Sequence, residues 1–302
     1  LRPFYNPQMS PDRMPATPLS ATRQESVRDA SPRELRELRV AALSALCACD
    51  PDVKVAAVER LAADPPTLDA DAALTEPPGL PGRPPQPALV EPKAVPQRAL
   101  GSPEGRARLL HALAHIEFNA VNLALDAIWR FAGLPADYYR DWLRVAAEEA
   151  CHFMLLRAHL RKLGADYGDF PAHDGLWQMA ERTRGDALAR MALVPRTLEA
   201  RGLDASPQVR ARLIGAGDHE AAGIVDIILR DEIGHVAVGN RWYRHLCRER
   251  GLDPVAAYAM LAARHDAPRL RPPFNRAARL QAGFDDVELA VLEREAARVG
   301  SG

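Results

Sequence analysis

Between residues 104 and 250 apolar positions recur every three to four residues, the spacing of amphipathic helices, and the every-second-residue alternation of strands is nearly absent. This pattern predicts helices over about 104–132, 136–163, 175–201 and 207–250, each stopped by a glycine: Gly133, Gly164, Gly202 and Gly251. Pro135 and Pro207 stand at or just before new helix starts. Upstream, Ser31-Pro32 with Glu34 opens a helical stripe that runs through Leu46. Asp50-Pro51 interrupts it, and Val53 to Leu61 forms a second short helix. Residues 64–103 hold most of the proline pairs (Pro65-Pro66, Pro77-Pro78, Pro84-Pro85) and read as a long wrapping connector.

The expected fold is therefore all-α. It consists of an extended arm over 1–27, a small helical hairpin over 28–63, the connector over 64–103, a four-helix bundle over 104–250, and a C-terminal extension over 251–302. The extension is expected to hold short helices near 254–264 and 285–298 around an irregular Arg/Pro stretch.

Composition narrows the classes. The 302 residues are 47% hydrophobic and 26% charged, ordinary for a globular chain, and can bury a substantial core. The formal net charge of −1 supplies no general attraction to nucleic acid or anionic lipid. No apolar run approaches a membrane span and no signal segment opens the chain, so the cytoplasm is the expected address. Cys47, Cys49, Cys151 and Cys247 are too few and scattered for a disulfide framework, and Cys47-x-Cys49 lacks the spacing of a zinc site.

The candidate chemistry lies on the predicted bundle. Two Glu-x-x-His sequences occur, Glu149/His152 and Glu232/His235, and each follows a lone glutamate, Glu117 or Glu199, at almost the same separation. One unit is thus repeated: a helix with Glu, a turn, a helix with Glu-x-x-His. Di-metal carboxylate bundles are built on this pattern. At about 100° per residue, Leu110, Ala114, Glu117, Val121, Ala124 and Ile128 share a face. So do Trp142, Val145, Glu149, His152 and Leu156, then Leu188, Ala192, Pro195 and Glu199, then Val225, Ile228, Glu232, His235 and Gly239. Carboxylates inside apolar stripes are costly unless paired or metal-bound. Two divalent metals would satisfy all six groups. Glu199 sits just before Gly202, in the last turn of its predicted helix, and Asp186 or Glu220 stands as its alternative. Glu148 and Asp231, immediately before the ligand glutamates, are candidates to accept the second N–H of each imidazole. His111, His115 and His159 are read as structural or surface residues, and Cys151 as a buried small residue.

The stretches HALAHIEFNA, AAEEACHFML, LVPRTLEARG and ILRDEIGHVAVG resemble the ferritin-like di-iron superfamily. From the connector to about residue 284 the chain is similar to an uncharacterised bacterial ferritin-like family. Among characterised relatives it is most similar to the tRNA hydroxylase acting on the isopentenyl group of a modified adenosine. That resemblance supports Glu199, because Leu198-Glu199-Ala200-Arg201 matches the segment carrying a ligand glutamate there. Comparison also removes options: Leu156 occupies the position of the radical tyrosine of ribonucleotide reductase small subunits, and no Cys-x-x-Cys of a rubrerythrin is present.

The resemblance implies a non-haem di-iron oxygenase, with two iron ions (manganese being the alternative) and dioxygen as co-substrate. The organic substrate would be a small molecule or a modified nucleoside. With no reductase or flavin motif in the chain, electrons would come from an external donor. Two rival readings stand beside it. One is a ferritin-like metal-handling or peroxide-consuming protein, which needs no substrate cavity. The other is a tRNA-modifying hydroxylase, for which Arg264, Arg269, Arg271, Arg276 and Arg279 around Phe274 offer phosphate contacts, with Arg269, Arg271 and Arg276 the candidates. The same arginines could instead clamp the tail to the bundle. An oligomer is compatible with everything above.

Overall fold

The computed structural model describes residues 37–94 and 100–299. The predicted arm over 1–27 and the start of the first predicted helix lie outside the described residues. Among the described residues every regular element is a helix, with isolated bridges but no strand.

The hairpin comprises α1 (Leu38–Cys47) and α2 (Pro51–Ala63). Asp50 separates them because its carboxylate accepts the backbone N–H groups of Asp52 and Val53, and Pro51 is pre-set for the first helical position. The connector that follows is held by buried cations. The Arg39 guanidinium donates to the carbonyls of Ala70 and Ala72 at 3.0 and 2.8 Å, and to that of Trp129 at 2.8 Å. Lys54 donates to Leu46 O, Gly82 O and Asn122 Oδ1. These two side chains satisfy connector carbonyls that irregular backbone would otherwise bury unpaired.

The bundle is built from α3 (Pro103–Arg130), α4 (Ala136–Lys162), a broken third element and α8 (His219–Glu249). Helix α3 packs along α4, and α8 packs on α4 and on the third element. The short link between α3 and α4 makes them antiparallel neighbours. A buried ion cluster ties α3 to the third element: Asp126 accepts from Arg190 at 2.5 Å, from Arg130 at 2.9 Å and from the Trp129 indole at 3.0 Å.

The third element departs from expectation. Instead of one helix over 175–201 there are α5 (Gly175–Arg182), α6 (Ala187–Leu193), a π-helical stretch over Val194–Glu199 and α7 (Ala200–Gly215). Gly202 does not end a helix, and Pro207 lies inside α7 rather than at a new start. The stop is Gly217, in the left-handed conformation at φ 77°, followed by Asp218 capping α8. The cause of the π stretch is Pro195, which has no N–H for the regular ladder. There the Ala200 N–H reaches back to Pro195 O, and the Thr197 hydroxyl takes up Ala192 O at 2.8 Å. The C-terminal part adds α9 (Pro254–Arg264), α10 (Arg276–Gln281) and α11 (Asp286–Val299). No helix of the described residues is long and apolar enough to cross a membrane.

Candidate metal centre

Each bundle element brings one part of the site. Glu117 comes from the middle of α3, Glu149 and His152 from α4, Glu199 from the end of the π stretch, and Glu232 and His235 from α8. Glu149, His152 and His235 are sealed, at 0, 1 and 0% exposure, and Glu117 and Glu232 are also buried. Glu117, Glu149, His152 and Glu232 each offer one ligand atom, all within 4.8 Å of one another. Glu149 stands between the two imidazoles, with Oε2 3.3 Å from His152 Nδ1 and Oε1 2.9 Å from His235 Nδ1. Glu232 Oε1 is 3.7 Å from the same His235 nitrogen, and Glu117 Oε2 is 3.4 Å from His152 Nδ1. Glu199 is half-buried as a residue, but its Oε2 is closed off from solvent and feels the charges of Glu232 and Glu149.

Glu148 and Asp231 do accept from the imidazoles, and they do so crosswise. Asp231 of α8 lies 3.1 Å from Nε2 of His152 on α4, and Glu148 of α4 lies 2.7 Å from Nε2 of His235 on α8. A proton shared on the Nε2 side leaves Nδ1 of each ring facing the carboxylates as the available ligand atom. The alternatives to Glu199 are occupied elsewhere. Asp186 caps α6 and pairs with Arg250, while Glu220 is exposed and pairs with Lys162 and His159.

The electrostatics fit a cation. Burial pushes Glu117 well above the ordinary carboxylate value, and Glu149 beside it adds to the push. Burial likewise raises Glu199, helped by Glu232, and raises Glu232, helped by Glu149. Burial also acts against Glu149, but His235 and His152 overcome it and hold that carboxyl low. Burial opposes charge on His152, yet its bonds to Glu117 and Glu149 push it up to about 11. His235 is raised in the same way, against burial, chiefly by Glu149 and Glu148. Glu117 Oε2, Glu149 Oε1, Glu199 Oε2, Glu232 Oε2 and His235 Nδ1 are all sealed from solvent without a well-formed hydrogen bond. Buried polar atoms are rarely left so, and the Glu117, Glu149, His152 and Glu232 cluster could hold a metal ion, with Glu199 and His235 outside that tightest group.

The remaining predicted residues divide. His111 and His115 belong to a packed aromatic group with Tyr167, in which His115 Nδ1 is 3.0 Å from the phenol, and His159 pairs with Asp218. Cys151 is exposed, not buried as its sequence setting implied. Of the C-terminal arginines, Arg276 is paired with Asp286 and Glu293, and Arg279 is buried on Asp204, so Arg276 is tied to α11 rather than free for phosphate. Arg269 and Arg271 are exposed. Helical periodicity does not show the π stretch; Pro195 inside a helical stripe is the signal for it in the sequence.

Fold and site together define an all-helical protein with a buried glutamate/histidine cluster able to hold metal. The chain belongs to the family described as "Protein of unknown function (DUF455)", whose model matches residues 47–290 and so spans every candidate ligand. It is similar to a protein of Haemophilus influenzae (strain ATCC 51907 / DSM 11121 / KW20 / Rd) described as "Uncharacterized protein", with 51% identity over 213 residues, covering 68% of this chain and 74% of that protein. No solved structure matches the chain.

Proposed function

We propose that this chain is a ferritin-like non-haem di-iron oxygenase, with Glu117, Glu149, His152, Glu199, Glu232 and His235 as ligands. The observation that carries this reading is that four glutamates each have a sealed oxygen without a well-formed hydrogen bond at the imidazole pair, whose outer nitrogens are held by Asp231 and Glu148. A donor set of carboxylates and imidazoles suits iron, with manganese the alternative. When bound, two such ions would supply dioxygen reduction coupled to oxidation of a substrate C–H bond, with electrons from an external donor. The protein's part would be to orient the ligands, hold the Nε2 side of each histidine on Asp231 or Glu148 so that Nδ1 is turned to the metals, which displace its proton on binding, and exclude bulk water.

A substrate needs an approach. The cavity lined by Leu143, Ala147, Glu148 and Cys151 of α4 and by Leu38, Ala62 and Pro65 measures about 760 Å³ and touches the carboxylate held by His235. Its size and largely apolar wall suit a small organic molecule better than a metal-storage role requires.

Protein produced with iron is expected to hold close to two metals per chain by elemental analysis. Glu149→Ala is expected to lose both, and Glu181→Ala, on α5 beside Arg184, to keep them. After anaerobic reduction, the loaded protein is expected to consume dioxygen. One zinc, or no metal, would sink the proposal. Rapid peroxide consumption with no dioxygen uptake would favour the metal-handling reading instead.

A further inference from the structure

The C-terminal segment over 265–275 crosses α7 and is pinned at both ends. Arg182 donates to the carbonyls of His265 and Asp266, and Asn275 bonds Asp204 and Leu203 O at 2.8 and 3.1 Å. Between the pins, Arg269 and Arg271 face Arg201 and Gln208 of α7 across a groove of about 410 Å³, completed by Ala205, Pro268, Leu270 and Pro273. Most arginines of the described residues have a carboxylate partner, as Arg276 and Arg279 do. Arg201, Arg269 and Arg271 make no ion pair or hydrogen bond among the described residues, and all three are exposed. The one carboxylate lining the groove, Asp204, is spent on Arg279 at 2.6 and 3.0 Å and on the Asn275 N–H. Asp266 lines the adjoining cavity with Arg182 and Arg269, but forms no ion pair with Arg269. Three uncompensated guanidinium groups thus surround one cleft on a chain whose net charge is only −1.

We propose that this groove, on α7 just past the π stretch that carries Glu199, binds a small molecule bearing adjacent phosphate groups. Guanidinium forks bind phosphate oxygens in pairs, and three of them match a diphosphate better than a single carboxylate. The volume admits a ligand of nucleotide size. The site does not depend on the metal centre.

The test is calorimetric titration of inorganic pyrophosphate into the full chain at low salt. Binding is expected, weakening as salt rises because the site is exposed. The triple variant Arg201→Ala/Arg269→Ala/Arg271→Ala is expected to bind about 10-fold more weakly or worse. Its melting temperature should match that of the parent, since these side chains hold nothing in place. The single variant Arg271→Ala serves if the triple variant fails to fold. Arg276→Ala, outside the groove, is expected to keep pyrophosphate binding. Absence of pyrophosphate binding, or equal binding by the triple variant, overturns the proposal. A single-stranded oligonucleotide that binds through the same arginines and is not displaced by excess pyrophosphate overturns it too, in favour of a nucleic-acid surface.

Discussion

At the scale of single residues, the centre depends on two carboxylates that are not themselves ligands. Glu148 and Asp231 each reach across from the opposite helix, so each fixes the ring of a histidine its own helix does not carry. That makes α4 and α8 mutually dependent: a shift of either helix would break both contacts. Glu148→Gln and Asp231→Asn are isosteric but offer the imidazole N–H a weaker acceptor. Each is expected to lower metal affinity by roughly 10–100-fold. The fold should persist, because Glu148 and Asp231 are both partly exposed. Competition with a chromophoric chelator measures the affinity, and an unchanged value in both variants would remove their proposed role. The adjacency of Glu148 to Glu149 and of Asp231 to Glu232 was visible in the sequence. Their crossing was not, because it is set by the register between helices, which no local pattern encodes.

At the scale of elements, the π stretch over Val194–Glu199 and α8 fit each other through a glycine. A Cβ added at Gly239 would stand 2.5 Å from Pro195 Cβ and 2.6 Å from its Cγ, inside contact distance of a ring that cannot swing away. Gly239→Ala is therefore expected to force α8 from the π stretch and cost about 1–3 kcal/mol. The same push displaces Glu199, so metal binding should weaken together with stability. Gly234→Ala on the same helix has open space around its added methyl and provides the comparison. Urea unfolding of the two variants checks the cost, and equal stability would show that the contact relaxes freely. This pairing also explains where sequence reading stopped. Helical periodicity and the spacing of Glu149, His152, Glu232 and His235 are local and survive translation into structure. The break at Pro195 moved the helix end from Gly202 to Gly217, because a turn widened against Gly239 lets the chain continue as α7. Only a tertiary contact decides that.

At the scale of the whole molecule, the centre makes stability depend on pH in a direction opposite to ordinary carboxylate pairs. Glu117, Glu199 and Glu232 have native values raised by burial, whereas an unfolded glutamate releases its proton near about 4.3. Their stabilising effect is present below that unfolded value and is lost as pH rises through the native ones. His152, pushed up to about 11, adds stability that is full below its unfolded value of about 6.5 and is lost progressively as pH rises from there through the native value. The depressed carboxylates, Glu149 and Asp166 among them, lose their contribution mainly below pH 5, so between pH 5 and 7 the opposing groups are His115 and Lys54, against three raised glutamates and the raised His152 and His235. His115 is held down to about 3 by burial and Arg83, and Lys54 down to about 7 by burial and Arg83. The chelated protein should therefore melt at a lower temperature at pH 7 than at pH 5. Bound cations replace those protons, and their binding releases what remains, so the loaded protein gains affinity as pH rises. The gap between loaded and chelated melting temperatures should widen from pH 5 to pH 7. Thermal melts of both forms at the two values check this. If the chelated form melted higher at pH 7 than at pH 5, the buried glutamates would not be carrying protons in the absence of metal, and the electrostatic case for a cation site would fail with them.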